Sequence, residues 1–142
     1  MHIRNSLIMS PVRRGAAAVE LAVLLPLIAF LLLIATDFSR VFYYSIIVTN
    51  CARNGALYAS DPTTATQTPY TSIEQAALAD APNVSGATVT SSTGSSSSGG
   101  GYVDVTVKYT FHTITSFPGI PNTVELTRTV RMRQVAVVPN FG

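Results

Sequence analysis

The chain is 142 residues long, room for one compact domain and little more, with 47% hydrophobic and only 11% charged side chains. A net charge of +2 without clustered Lys or Arg argues against a nucleic-acid partner, since phosphate binding needs grouped cations. A single cysteine, Cys51, excludes an intrachain disulfide and a thiolate metal site, leaving a buried inert thiol or an interchain bridge.

The basic residues Arg4, Arg13 and Arg14 come before Gly15, and residues 16–142 carry six basic against seven acidic side chains. Residues 21–35 read LAVLLPLIAFLLLIA without one polar side chain. With Ala16–Glu20 and Thr36 they make a helix of roughly 30 Å, the thickness of a bilayer core. A cleaved secretory signal would be shorter and would end in a small-x-small site, whereas Asp37-Phe-Ser-Arg-Val-Phe-Tyr-Tyr continues a helical pattern. Arg13-Arg14 lacks the flanking residues of a twin-arginine signal, so a retained anchor is the preferred reading. The positive-inside rule then puts the N-terminus in the cytoplasm and everything after Thr36 outside it. Pro26 removes one backbone hydrogen bond within the span and marks a bend.

Glu20 is the one charge in this segment. A carboxylate there costs up to a few kcal/mol, less if it reaches the interface. It either reaches water about one turn inside the membrane surface or meets a cation within the membrane, such as a free α-amino group. Position alone does not separate the two.

Beyond the span, Phe38, Val41, Phe42 and Ile46 recur with helical spacing, and Thr49, Ala52, Ala56 and Ala59 continue the stripe. Asp61-Pro62 stops that helix, because the residue before proline is pushed out of the α region. The cluster Phe38, Phe42, Tyr43 and Tyr44 suits an interfacial aromatic belt. Arg40 and Arg53 read as solvated or paired with Asp37 and nearby carboxylates. Residues 61–70 form a Thr/Pro-rich loop, Thr71-Ser-Ile-Glu74 has the form of a capping box for a short helix to Ala81, and Val84–Thr90 suits a strand. Residues 91–101, SSTGSSSSGGG, read as a flexible linker.

The clearest strand pattern follows. Val103, Val105, Val107, Tyr109 and Phe111 fall on one face, with Asp104, Thr106, Lys108, Thr110 and His112 on the other. After a turn at 117–122, Val124, Leu126, Val130 and Met132 alternate with polar residues. Arg128 breaks the parity, which implies an interruption or a sheet edge. The expected fold is α+β: a long N-terminal helix on a small antiparallel sheet of three or four strands. Its parts are 1–15 before the span, 16–36 in the membrane, 37–60 continuing the helix, and a β-rich region at 61–142.

Catalytic groupings are missing from the sequence. His2 precedes the span, His112 sits on a polar strand face, and the five acids beyond Asp37 are scattered. No phosphate loop, metal-spaced His pair, Cys-x-x-Cys or nucleophile elbow occurs. The expectation is a protein that is not an enzyme and takes no cofactor, metal or small-molecule substrate.

Arg13-Arg14-Gly15-Ala16-Ala17-Ala18-Val19-Glu20 and the apolar run with Pro26 resemble the N-terminus of type IV pilin-like proteins. More closely they resemble the TadE family, pseudopilins of the tight-adherence (Flp pilus) machinery. The likeness extends through Asp37-Phe38-Ser39-Arg40 and Thr49-Asn50-Cys51-Ala52-Arg53-Asn54-Gly55-Ala56. Ser39, Cys51 and Asn54 depart from the family's Gly, Ala and Glu. The resemblance implies that residues 1–15 are a leader, cut by a prepilin peptidase between Gly15 and Ala16. Glu20 would become the fifth residue of the mature chain, facing the N-terminal ammonium of a neighbouring subunit. It further implies membrane lipid, the peptidase and other pilin-like subunits as partners. The setting is a bacterial inner membrane or a surface pilus, and the role is pilus assembly or minor pilin. The alternative is a signal-anchored extracytoplasmic adhesion or binding module outside any pilus.

Overall fold

Helix α1, Val12–Ser60, is the longest element of the computed structural model, which describes residues 12–97, 99–115, 119 and 121–135. The chain divides into two units, Met1–Thr36 and Asp37–Gly142, each described here by itself. Of residues 1–15, expected from the sequence to be a leader, 1–11, with His2 and Arg4, lie outside the described residues.

In the first unit α1 starts at Val12, ahead of Ala16, and passes through Pro26 without ending. Proline costs a helix interior one N–H donor and a clash, but flanking turns of strong helix formers carry the helix across. From Val19 to Leu33 the large apolar side chains other than Phe30 are exposed, from 48% at Leu24 to 71% at Val23. In water each would forgo about 1.5–3 kcal/mol of burial, whereas in lipid none does. The helix is long and apolar enough to cross a membrane.

In the second unit residues 37–60 of α1 are followed by α2 (Pro62–Ala65), α3 (Ile73–Leu78), β1 (Thr88–Ser96), β2 (Gly100–His112) and β3 (Thr123–Arg133). The strands form one antiparallel sheet in the order β1-β2-β3, within the expected range of three or four. Val103, Val105, Val107 and Phe111 on β2 are all 1% exposed or less and form the core with Val48, Cys51, Ala52 and Ala56 of α1. A fully buried Phe111 alone stabilises this packing by about 2–3 kcal/mol. A Cβ on Gly55 would stand 3.0 Å from Ala77 Cβ and 3.1 Å from Val105 Cγ1, so glycine lets helix and sheet approach.

Several expectations need correction. The segment 91–101 is no flexible linker: Ser91–Ser96 pair with Val105–Gly100, and Gly99, at φ +79, turns the hairpin. Ladder bonds come from the backbone, so a Ser-rich strand pairs once β2 supplies the apolar face. Tyr102 lies across Gly94, covering the place a side chain would take. The strand expected at Val84–Thr90 begins at Thr88, while Val84 is core in the preceding turn region. The cap of α3 is shifted by one residue: Ser72 Oγ accepts from Gln75 N–H, and Gln75 Oε1 accepts from Thr71 N–H and Oγ1. Asp61-Pro62 does end α1, but Asp61 then caps α2, accepting from Thr63 and Thr64 N–H. Of the two readings at Arg128 the sheet edge holds: β3 runs unbroken along the edge of the sheet, and Arg128 donates to Ser45 Oγ of α1 at 2.8 Å.

The stripe along the outer helix also turns differently. Phe38, Phe42 and Ile46 are 57–64% exposed, whereas Asp37, Val48, Ala52 and Ala56 face inward. The inward face is built from small residues because the sheet comes close at Gly55. Of the aromatic cluster, Tyr44 turns inward, its ring 5.3 Å from those of Tyr109 and Phe111.

Candidate functional site

Gly15, Ala16 and Glu20 lie near the start of α1, and all three are exposed in the first unit. Arg13 and Arg14 fall in the same first turn. A Cβ built on Gly15 would meet nothing within 4 Å among the described residues. The Gly15–Ala16 bond lies within α1. Among the described residues Glu20 has neither an ion-pair nor a hydrogen-bond partner, and its neighbours Val19 and Leu21 are apolar and 65% and 59% exposed.

The second unit contains a polar centre that sequence reasoning missed. Asp37, only 6% exposed, receives Ile114 N–H at 2.9 and 3.1 Å and Thr115 N–H at 2.8 Å, together with the Thr115 hydroxyl. Arg40 Nη1 closes the set at 3.2 Å, and its guanidinium stands 4.9 Å from the Phe111 ring centre. The Thr115 hydroxyl, then the Ile114 and Thr115 amides, hold the Asp37 carboxyl down to about 2 from 3.8; burial opposes the shift and Arg40 assists it. A carboxylate with this many donors clasps the chain leaving β2 onto the start of the outer helix segment. The pair Asp37/Arg40 was legible as a helical i, i+3 pair, but nothing in Thr113-Ile-Thr115 announces its partner.

Asp61 is a helix cap, and Asp104 accepts both bonds of Arg131 at 2.7 Å. His112 is exposed on the outer sheet face, and Arg53 is exposed on α1. Cys51 is buried at 3% exposure, and desolvation pushes its thiol up, as an inert core cysteine requires. Among the described residues no three His, Cys, Asp or Glu gather into a metal site.

Residues 15–57 match the family model of TadE-like proteins. The matched segment runs from the Gly15 junction through the span and the Asp37 clasp to the helix face packed on β2. The sheet lies beyond it. No curated protein and no solved structure matches the chain.

Proposed function

We propose that this TadE-like chain is a pseudopilin or minor pilin, acting in assembly of a Flp/Tad-type pilus or related secretion apparatus. The observation carrying this reading is Glu20: a carboxylate on an otherwise apolar, membrane-length helix, without a partner among the described residues, five positions after Gly15. In lipid such a charge must find a cation or remain poorly solvated. A cut after Gly15 creates one, the Ala16 ammonium, on each copy. Placed side by side, two such helices put the carboxylate of one against the amine of the next.

The order of events follows from the charges. Arg13 and Arg14 keep the N-terminus on the cytoplasmic face, prepilin peptidase removes residues 1–15, and the freed helix joins other pilin-like subunits in the inner membrane. Residues after Thr36 lie outside the cytoplasm. Intact-mass analysis of protein taken from membranes of peptidase-positive cells should give a chain beginning at Ala16. In a peptidase-deficient strain the leader should remain. A chain beginning at Met1 in both strains, or near Thr36, would overturn the proposal.

A further inference from the structure

The large apolar side chains left exposed in the second unit are not scattered. Phe38, Phe42, Tyr43 and Ile46, on the first turns of the outer helix segment, are 55–64% exposed. Ile114, 62% exposed, is brought to the same place from far along the chain, because its N–H donates to the Asp37 carboxylate. Asp37 directly follows Thr36, the last residue of the apolar run, within α1. At any angle between the two units, Ile114 therefore stands within one carboxylate side chain's reach of the point where a spanning helix leaves the bilayer core. The headgroup zone at that point is about 5–7 Å deep.

The loop carrying Ile114 keeps its polar groups to itself. Thr113 N–H donates to Asn122 C=O, and the Ile114 and Thr115 N–H groups donate to Asp37. The Thr113 hydroxyl donates to the Thr115 and Pro121 carbonyls, and the Thr115 hydroxyl to Asp37. Loops at a protein surface ordinarily leave such donors to water. Asp37 is itself buried, and its charge is answered by Arg40 at 3.2 Å. The loop thus displays an isoleucine while its N–H and hydroxyl donors are satisfied, the condition for a segment that enters an apolar boundary. Phe38, the residue after Asp37, and Phe42 have ring centres 5.5 Å apart. Exposed Phe and Ile side chains of this kind bury at the junction of headgroups and acyl chains.

We propose that loop 113–115 is a second membrane contact, with Ile114 entering the headgroup–acyl boundary next to the emerging helix, together with Phe38 and Phe42. The occupant of this surface is lipid, and the Asp37 clasp holds the loop against it. The inference rests on α1 spanning a membrane, and not on cleavage at Gly15 or pairing at Glu20.

Single fluorescent labels on the full chain in a Cys51→Ala background, with one chain per phosphatidylethanolamine–phosphatidylglycerol nanodisc, test it. A label on Ile114→Cys should be quenched by lipid bearing a doxyl group near its headgroup and shielded from aqueous iodide. Phe38→Cys should behave alike. Leu57→Cys, an exposed apolar position about 30 Å further along the helix, should show the reverse. Adding Asp37→Asn should open position 114 to iodide and spare position 38, and Thr115→Val, a milder change, should do so in part. A label at 114 that is open to iodide, shielded from both quenchers as under a protein partner, matched in lipid quenching by Leu57→Cys, or indifferent to both clasp variants would overturn the assignment. Leu31→Cys reports the span. Lipid quenching there with none at 114 refutes this contact alone, whereas none at either position refutes the spanning reading along with it.

Discussion

Glu20→Gln should be cut after Gly15 at the normal rate and then fail to assemble. Glutamine keeps the size and hydrogen-bonding capacity of the side chain but removes its charge. The Ala16 ammonium of the neighbouring subunit would then sit in apolar surroundings without a counter-ion. Removing one partner of a buried pair costs about 3–5 kcal/mol, because the other charge remains desolvated. Per contact this corresponds to roughly hundredfold to several-thousandfold weaker association. Co-isolation with other pilin-like subunits, and surface pili where the subunit is needed for them, report the loss. Normal assembly of Glu20→Gln would remove the reason for a carboxylate at this depth and leave a simple tethered domain.

Asp37→Asn should loosen the second unit where the chain leaves β2. The carboxylate accepts from two backbone amides and a hydroxyl, and it also pairs with Arg40. An asparagine side chain offers one acceptor oxygen and turns its NH2 toward groups that are themselves donors. Hydrogen exchange at the Ile114 and Thr115 amides should accelerate roughly tenfold or more, while amides in the middle of β2 change less. The pH dependence follows from the direction of the shift. The folded carboxyl titrates at about 2 against an ordinary 3.8, so protons bind the unfolded form more tightly. The clasp contributes fully above about pH 4 and is lost as pH falls toward 2. Asp37→Asn should flatten the acid response across that window. An unchanged acid profile with unchanged exchange at Ile114 and Thr115 would show that the clasp contributes nothing.

The parts of the fold with a regular side-chain period were legible. Val103 to Phe111 alternate strictly, and the structure buries that face with only Tyr109 half-exposed. The apolar run from Leu21 to Ala35 and the stop at Asp61-Pro62 were equally plain. Strand β1 was not, because Ser91–Ser96 have no apolar alternation and owe their conformation to backbone bonds with β2. The orientation of the outer helix was half legible. Ala52 and Ala56 do face the sheet, but their hydropathy is weak beside Phe38, Phe42 and Ile46, which point away. The Asp37 clasp depends on a partner 77 residues further on, and no local pattern encodes such a contact. Gly15, Ala16 and Glu20 are proposed for processing and assembly on the motif and on the charge in an apolar run alone, and the fold does not bear on them.

Zero-length coupling is the most direct test of the proposed pairing between Glu20 and a freed N-terminal amine. Assembled material treated with a membrane-permeant carbodiimide should yield, on mass spectrometry, an amide joining the Glu20 carboxyl to the N-terminal residue of a neighbouring subunit, Ala16 in the case of a second copy. Recovery of Glu20 only as the carbodiimide adduct, with no amine attached, would show a carboxylate without that partner and would contradict the account.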